Sequence, residues 1–316
     1  MKSALVAAAG NTPIYADHAA PVAHAGELLI TVAAAALYPL VRARAAGHHY
    51  SAAGLYPLIP GVDGVGRTPS GDRVYFSLPR DPFGAMAEQT VVAADRCTPV
   101  PAGLDNAMAA ALANPGMSSM AALKDRAQFQ PGEAVLINGA TGASGQLAVQ
   151  IARALGAGRI VATGRNRAVL EHLTTLGADE TIALDADPQT MATRFEALFA
   201  GGVDVVLDYL WGPSALTLLR AAARAARPGK PIRFVQIGTA SGLEISLPGA
   251  ILRSSGLVLM GSGLGSVSNA RLLERIGEVL QLAATGGLQL PIRAVPLADV
   301  AAMWSDTAGP RTVFMI

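Results

Sequence analysis

The chain has 316 residues, room for one large or two ordinary domains. It is 51% hydrophobic and 15% charged with a formal net charge of +1, which gives no electrostatic case for nucleic acid or an anionic membrane. Cys97 is the one cysteine; this excludes an internal disulfide and any zinc site with two or more cysteine ligands, and it fits a reducing, cytoplasmic setting.

The apolar run Ala4–Ala9 is too short for a secretory segment and reads as a first strand. The uncharged stretches Leu28–Val41 and Ala107–Leu123 are interrupted, the first by Pro39 and the second by Asn114, Pro115 and Gly116. Neither is expected to cross a membrane. Short apolar segments at Leu28–Ala34, Arg73–Phe76 and Glu88–Val92, separated by Gly and Pro, predict a small β-rich domain over residues 1–112.

A turn at Gln130–Glu133 opens a more regular series. Strands are expected at Ala134–Asn138, Arg159–Thr163, Thr181–Leu184, Val203–Leu207, Ile232–Ile237 and Leu257–Met260. Helices are expected between them at Ala143–Leu155, Ala168–Leu176, Pro188–Ala200 and Ser214–Ala226. This alternation predicts an α/β fold, a doubly wound parallel sheet of Rossmann type over residues 113–265. A helix at Asn269–Ala284, strands at Ile292–Val295 and Thr312–Met315 and a short helix near Ala298–Trp304 follow. This last part, 266–316, is expected to return to the first domain.

The segment Asn138-Gly-Ala-Thr-Gly-Ala-Ser-Gly145 lies between a predicted strand and a predicted helix. Ala140, Gly142 and Gly145 fill the G-x-G-x-x-G frame, with Ala at its first place. Small residues there permit a tight turn, close approach of a pyrophosphate, and close packing of helix on strand. Thr141, Ala143 and Ser144 complete the candidate phosphate loop, and the helix start would present free N–H groups to the phosphates. A plain structural turn, or a site for another nucleotide such as S-adenosylmethionine, is the alternative.

No acidic residue occurs between Gln146 and Leu170, where an NAD site carries Asp or Glu for the ribose 2′-hydroxyl. The second strand of the series instead ends Thr163-Gly164-Arg165-Asn166-Arg167. A guanidinium there holds a 2′-phosphate, so NADP(H) is the expected cofactor. Solvated arginines at a helix start are the alternative. Tyr209, Gln236-Ile237-Gly238 and Gly261-Ser262-Gly263 follow later strands and are expected to touch the same cofactor. Trp211 stands where a small residue is expected.

With these motifs the chain resembles the medium-chain dehydrogenase/reductase superfamily, and within it the zinc-independent quinone oxidoreductase-like branch. The resemblance extends to Pro60-Gly-Val-Asp-Gly-Val-Gly66, Gly71-Asp-Arg-Val74, Gly84–Val92, Gln130–Glu133, Ala148–Ala152 and Gly177-Ala-Asp179. It implies a GroES-like substrate domain, a Rossmann domain and a cleft between them. The segment Gly61-Val62-Asp63 matches a Gly-His-Glu motif that supplies a zinc ligand in alcohol dehydrogenases of the superfamily. Tyr38 and Asn114 match two further ligand places, and the structural zinc lobe is missing. His48 and His49 read as a solvated pair, and no metal is expected. The branch reduces quinones or activated carbon–carbon double bonds, so a small apolar conjugated substrate is implied. Tyr50 is the first candidate for a proton or oxyanion donor, with Tyr56 and His49 as competitors, and Asn114 is a second candidate. A zinc-free carbonyl or alcohol dehydrogenase, an enoyl-thioester reductase, and a non-enzymatic NADPH-binding sensor or structural protein are the other readings. The strand over Ser254–Met260 resembles one that pairs across a two-fold axis, so a homodimer is expected.

Overall fold

Three strands open the chain: β1 (Lys2–Leu5), β2 (Ile14–Asp17) and β3 (Glu27–Ala36). The run Ala4–Ala9 thus starts in a strand, which pairs antiparallel with β2. Helix α1 (Pro39–Ala45) follows, with Pro39 in its first turn, where a missing N–H costs nothing. Then come β4 (Asp63–Arg67), β5 (Arg73–Ser77), β6 (Gln89–Ala93), β7 (Cys97–Pro99) and helix α2 (Asn106–Ala121). The α/β series is β8 (Ala134–Asn138), α3 (Ala143–Ala154), β9 (Arg159–Gly164), α4 (Arg167–Thr175), β10 (Glu180–Ala183), α5 (Pro188–Ala200), β11 (Val205–Asp208), α6 (Gly212–Ala225), β12 (Ile232–Gln236), α7 (Ala250–Arg253) and β13 (Leu257–Gly261). The chain closes with α8 (Asn269–Ala284), β14 (Ile292–Pro296), α9 (Val300–Met303) and β15 (Arg311–Met315). This computed structural model describes residues 1–227, 229–307 and 309–316.

The chain divides into two units, one of residues 1–114 and 269–316, the other of residues 115–268. In the first, a seven-stranded sheet runs β14-β15-β3-β4-β5-β7, with β6 added on β3. The ten-residue β3 meets β4, β6 and β15, all antiparallel, because its alternating Ile30, Val32 and Ala34 are wholly or almost wholly buried. Tyr75, Phe76 and Phe314 fill the interior beside them.

In the second unit, six parallel strands lie in the order β10-β9-β8-β11-β12-β13. The order reverses between β8 and β11, the switch point at which such sheets bind nucleotides. Val135, Leu136 and Ile137 are all fully buried, as helices on both faces require of a central parallel strand. Phe195, Leu218, Leu219 and Phe234 anchor one face. Each contributes about 1.5–3 kcal/mol by leaving water.

The expected interruption at Asn114-Pro115-Gly116 is corrected: α2 runs unbroken through Pro115 and passes into a π-helical turn at Ala122–Arg126. Pro115 leaves the Ala111 carbonyl without its helical partner. Almost every side chain between Ala109 and Leu123 is nevertheless buried, so packing outweighs the local cost. No helix among the described residues is long and apolar enough to cross a membrane.

Candidate functional site

The glycine-rich turn joins β8 to α3, and its shape follows from two close approaches. A Cβ on Gly145 would stand 2.4 Å from the Cα of Ala140, so only glycine lets α3 start this near the turn. A Cβ on Gly164 would stand 2.4 Å from Thr141 Cγ2, so the end of β9 abuts the same turn. The Gly139 and Ala140 amides both donate to the Thr163 carbonyl, at 3.1 and 2.7 Å.

Beneath the turn a buried polar network ties three strand ends together. Thr163 Oγ1 donates to Asn138 Oδ1 at 2.7 Å. Asn138 Nδ2 donates to Asp208 Oδ1 at 2.7 Å and to Ser214 Oγ at 3.2 Å. Asp208 also accepts from the Leu210 and Trp211 amides. Burial nonetheless pushes its carboxyl up to about 6, against the stabilising donors. Trp211 is held at φ +56°, in the left-handed region, with its indole packed on the apolar core of this unit.

Helix α3 begins at Gly142 without a side-chain cap, and its first backbone bond runs from the Gln146 amide to the Gly142 carbonyl at 2.9 Å. The amides of Ala143, Ser144 and Gly145 therefore precede the helical ladder and are available to an anion. Beyond the end of β9, exposed Arg165 makes no hydrogen bond or ion pair among the described residues. Arg167 is instead committed to Asp185, with its Nε 3.0 Å from Oδ2. Gln236 turns its amide to the Gly238 carbonyl at 3.0 Å, and the Ser262 amide donates to the Gln236 carbonyl at 2.8 Å. Tyr209 buries its hydroxyl near Ser118 and Ser119, and burial pushes it up to about 12. The cofactor candidates Ala140–Gly145, Thr163–Arg165, Tyr209, Gln236–Gly238 and Gly261–Gly263 thus line the carboxyl-end edge of one parallel sheet.

Residues 143–285 match the family described as zinc-binding dehydrogenase. A probable NADPH-dependent quinone reductase of Emericella nidulans is 29% identical over 92% of each chain. The quinone oxidoreductase of Thermus thermophilus, a structure whose description includes a complex with NADPH, is 28% identical, covers 100% of both chains and superposes with a TM-score of 0.81. By these matches the chain is similar to the medium-chain dehydrogenase/reductase superfamily, in its quinone oxidoreductase-like branch. The acrylyl-CoA reductase of Ruegeria pomeroyi is a further relative, 28% identical over 79% of this chain and 77% of that protein. Polyketide synthases match too, and there the chain spans only about a tenth of the matched protein.

In the other unit, Tyr38 and Asp63 meet in space. Both phenols of Tyr38 and Tyr75 donate to Asp63 Oδ2, at 2.7 and 2.6 Å, and all three residues are buried. Burial drives the Asp63 carboxyl up, opposed by the two phenols and by the charge of Arg311. Burial, then the Asp63 charge, raises both phenols well above their ordinary range, so they stay protonated. Asn114, half-buried in α2, adds a favourable interaction with the carboxylate. Arg311 lies over the Tyr38 ring, 4.4 Å from its centroid. Sequence reasoning singled out Tyr38 and Asn114 and missed Tyr75 and Arg311, which carry no local motif.

Tyr50 lies on an exposed turn, 75% accessible, with its ring 4.1 Å from that of His49. Its two competitors are already engaged. The Tyr56 hydroxyl donates to the Ala45 carbonyl at 2.8 Å, and His49 Nδ1 lies 2.8 Å from Ser51 Oγ. Burial and the nearby Arg44 charge hold the His49 imidazole below its ordinary value.

Proposed function

We propose that this protein is an NADPH-dependent oxidoreductase that reduces a quinone or an activated carbon–carbon double bond without zinc. The observation that carries the reading is the uncapped α3 start beside the unpaired Arg165. The first suits a pyrophosphate, the second a ribose 2′-phosphate, and the end of β9 has no carboxylate to repel that phosphate. When bound, the nicotinamide supplies a hydride from its C4 atom.

Ala143, Ser144 and Gly145 hold the phosphates through their amides, and Arg165 selects the phosphorylated ribose. Tyr209, Gln236–Gly238 and Gly261–Gly263 flank the rest of the cofactor. The Asn138–Asp208 network keeps the strand ends in register so that these groups stay in place. Tyr50 relays the proton that follows the hydride, and Asn114 helps to orient the acceptor. A conjugated acceptor is already polarised, so it needs orientation and a donor to the developing oxyanion more than a Lewis acid. Zinc independence is supported by the donor set: a phenol at Tyr38, an amide at Asn114 and one carboxylate, whose Oδ2 already serves two phenols. The acrylyl-CoA reductase relative makes an enoyl thioester the second acceptor to assay.

The protein acts as a cytoplasmic homodimer built on β13, the edge strand, where Val258 is 42% exposed. Titration with NADPH and NADH, then oxidation assays with 1,4-naphthoquinone and methyl vinyl ketone, with and without EDTA, test the reading. Preferential NADPH binding and EDTA-insensitive turnover are expected. Preference for NADH, or loss of turnover with EDTA, would overturn it.

A further inference from the structure

The basic and acidic residues of the chain nearly balance, 24 against 23, but they are not spread evenly. Residues 209–268 hold six arginines and lysines against one carboxylate, Glu244. Three of the six, Arg220, Arg224 and Arg227, line one open groove of about 660 Å³ between the end of α6 and the segment around α7. The groove lies wholly inside the parallel-sheet unit. Ala223, Ala226 and Ile251 are buried or half-buried and form its floor, while the three exposed arginines form its rim. No carboxylate lines it among the described residues.

Arg224 is paired with Glu196 of α5, but Arg220 and Arg227 make no side-chain hydrogen bond or ion pair among the described residues. The dipole at the end of α6 favours a cation in its last turn, which accounts for Arg224. It does not account for Arg220, more than a turn earlier, or for Arg227, beyond the helix end. Like charges gathered along one groove repel one another unless an anion sits among them. Guanidinium forks at all three places suit planar carboxylates or phosphates.

The shape of the groove decides between anions. A small anion would leave the exposed arginines largely in water, where ion pairs contribute little. No aromatic side chain lines the groove for a nucleic-acid base to stack on. A bilayer is bound by apolar side chains that project, and here the apolar groups are recessed. Arg220 and Arg224 stand one helical turn apart, about 6 Å along the axis, which is the spacing of carboxylates four residues apart on another helix. The small side chains of Ala223 and Ala226 let such a helix approach closely, with its own apolar residues on the floor.

We infer that this groove binds an acidic amphipathic helix of a partner protein, whose carboxylates pair with Arg220 and Arg227 and share Arg224 with Glu196. The inference does not depend on the reductase reading. Helix α6 starts near Asp208, at the carboxyl end of β11, so its last turn lies toward the amino ends of the strands, away from the candidate cofactor edge.

The test uses the full chain and a fluorescein-labelled peptide of Glu-Ala-Ala-Leu repeats, read by fluorescence anisotropy. Comparison peptides carry the same residues with all glutamates moved to one end, or lysine in place of glutamate. Wild type is expected to bind the glutamate-repeat peptide at least about tenfold tighter than either comparison peptide, and to lose affinity as salt rises. Arg220→Ala and Arg227→Ala are each expected to weaken binding about threefold, and Arg220→Glu with Arg227→Glu about 30-fold. That double variant is also expected to prefer the lysine peptide, a reversal that an unfolded protein would not give. Arg194→Ala, on an exposed arginine that lines another groove, is expected to change the affinity less than about twofold. Absence of binding by wild type, equal binding of the peptide with segregated glutamates, or unchanged binding in the double variant would overturn the inference. Tighter binding of an oligothymidylate, tripolyphosphate or phosphatidylserine vesicles, lost in the same double variant, would give the groove to that anion and overturn the acidic helix.

Discussion

Gly142 and Gly145 stand three residues apart, and the structure gives them opposite duties. A methyl group on Gly145 would stand 2.4 Å from Ala140 Cα and 2.5 Å from the Gly139 carbonyl oxygen, both backbone atoms of the turn. Helix α3 would have to retreat by about 1 Å, at a cost of about 1–3 kcal/mol. On Gly142 the nearest atom, the Gly139 carbonyl oxygen, is 4.0 Å away, and its φ of −80° suits any residue. There, weaker capping by alanine, about 0.5 kcal/mol, is offset by a similar reduction in unfolded-chain entropy. Gly145→Ala should therefore lower Tm by about 2–10 °C, while Gly142→Ala should leave it within about 2 °C. The exposed face of Gly142 is where a pyrophosphate would approach, so Gly142→Ala should weaken NADPH binding about tenfold or more, about 1.4 kcal/mol. Thermal melting and fluorescence titration with NADPH read the two effects separately. Unchanged NADPH affinity in Gly142→Ala would refute the phosphate-cradle argument, and an unchanged Tm in Gly145→Ala would refute the packing argument.

Arg165→Ala should raise the Kd for NADPH about tenfold and leave that for NADH within about twofold, whereas Arg167→Ala, already paired with Asp185, should change the ratio far less; equal effects would remove the distinction. Asp208, held near 6 rather than 3.8, binds its proton more tightly in the folded than in the unfolded state. Stability should accordingly fall as pH rises from about 4 to about 6, by about 3 kcal/mol relative to Asp208→Asn. Denaturant midpoints at pH 4.5 and 7 measure it, and parallel profiles for the two proteins would contradict the burial argument. Val258→Asp should convert a dimer into a monomer by light scattering without loss of NADPH binding; an unchanged mass would place the interface elsewhere.

The α/β series was legible because buried parallel strands read as unbroken apolar runs, and because helices with one apolar face fill the gaps. Asn166 caps α4 and Asp187 caps α5 through their side chains, within a residue of where the pattern changes. Helix α2 was not legible through Pro115 and Gly116, since local rules treat both as breakers while the helix is held by nearly complete burial. The left-handed backbone at Trp211 escaped for the same reason: an indole anchored in the core holds a conformation that sequence would give to glycine. The Tyr38–Asp63–Tyr75–Arg311 group joins the start of α1 to β4, β5 and β15, and no spacing along the chain announces such a meeting. The glycine-rich turn was readable because one short segment supplies all of its parts.

The division of the chain also bears on its synthesis. Strand β3 pairs through Ala34, Ala35 and Ala36 with β15, which lies at residues 311–315. A nascent chain that has reached residue 268 holds every strand of the parallel sheet, yet lacks β14 and β15. The parallel unit can therefore be finished on the ribosome while the flank of β3 still waits, its backbone groups open to any passing strand. The last few dozen residues thus act as a fastener, and a chain released before them would carry a completed nucleotide-binding fold beside an unclosed and aggregation-prone sheet.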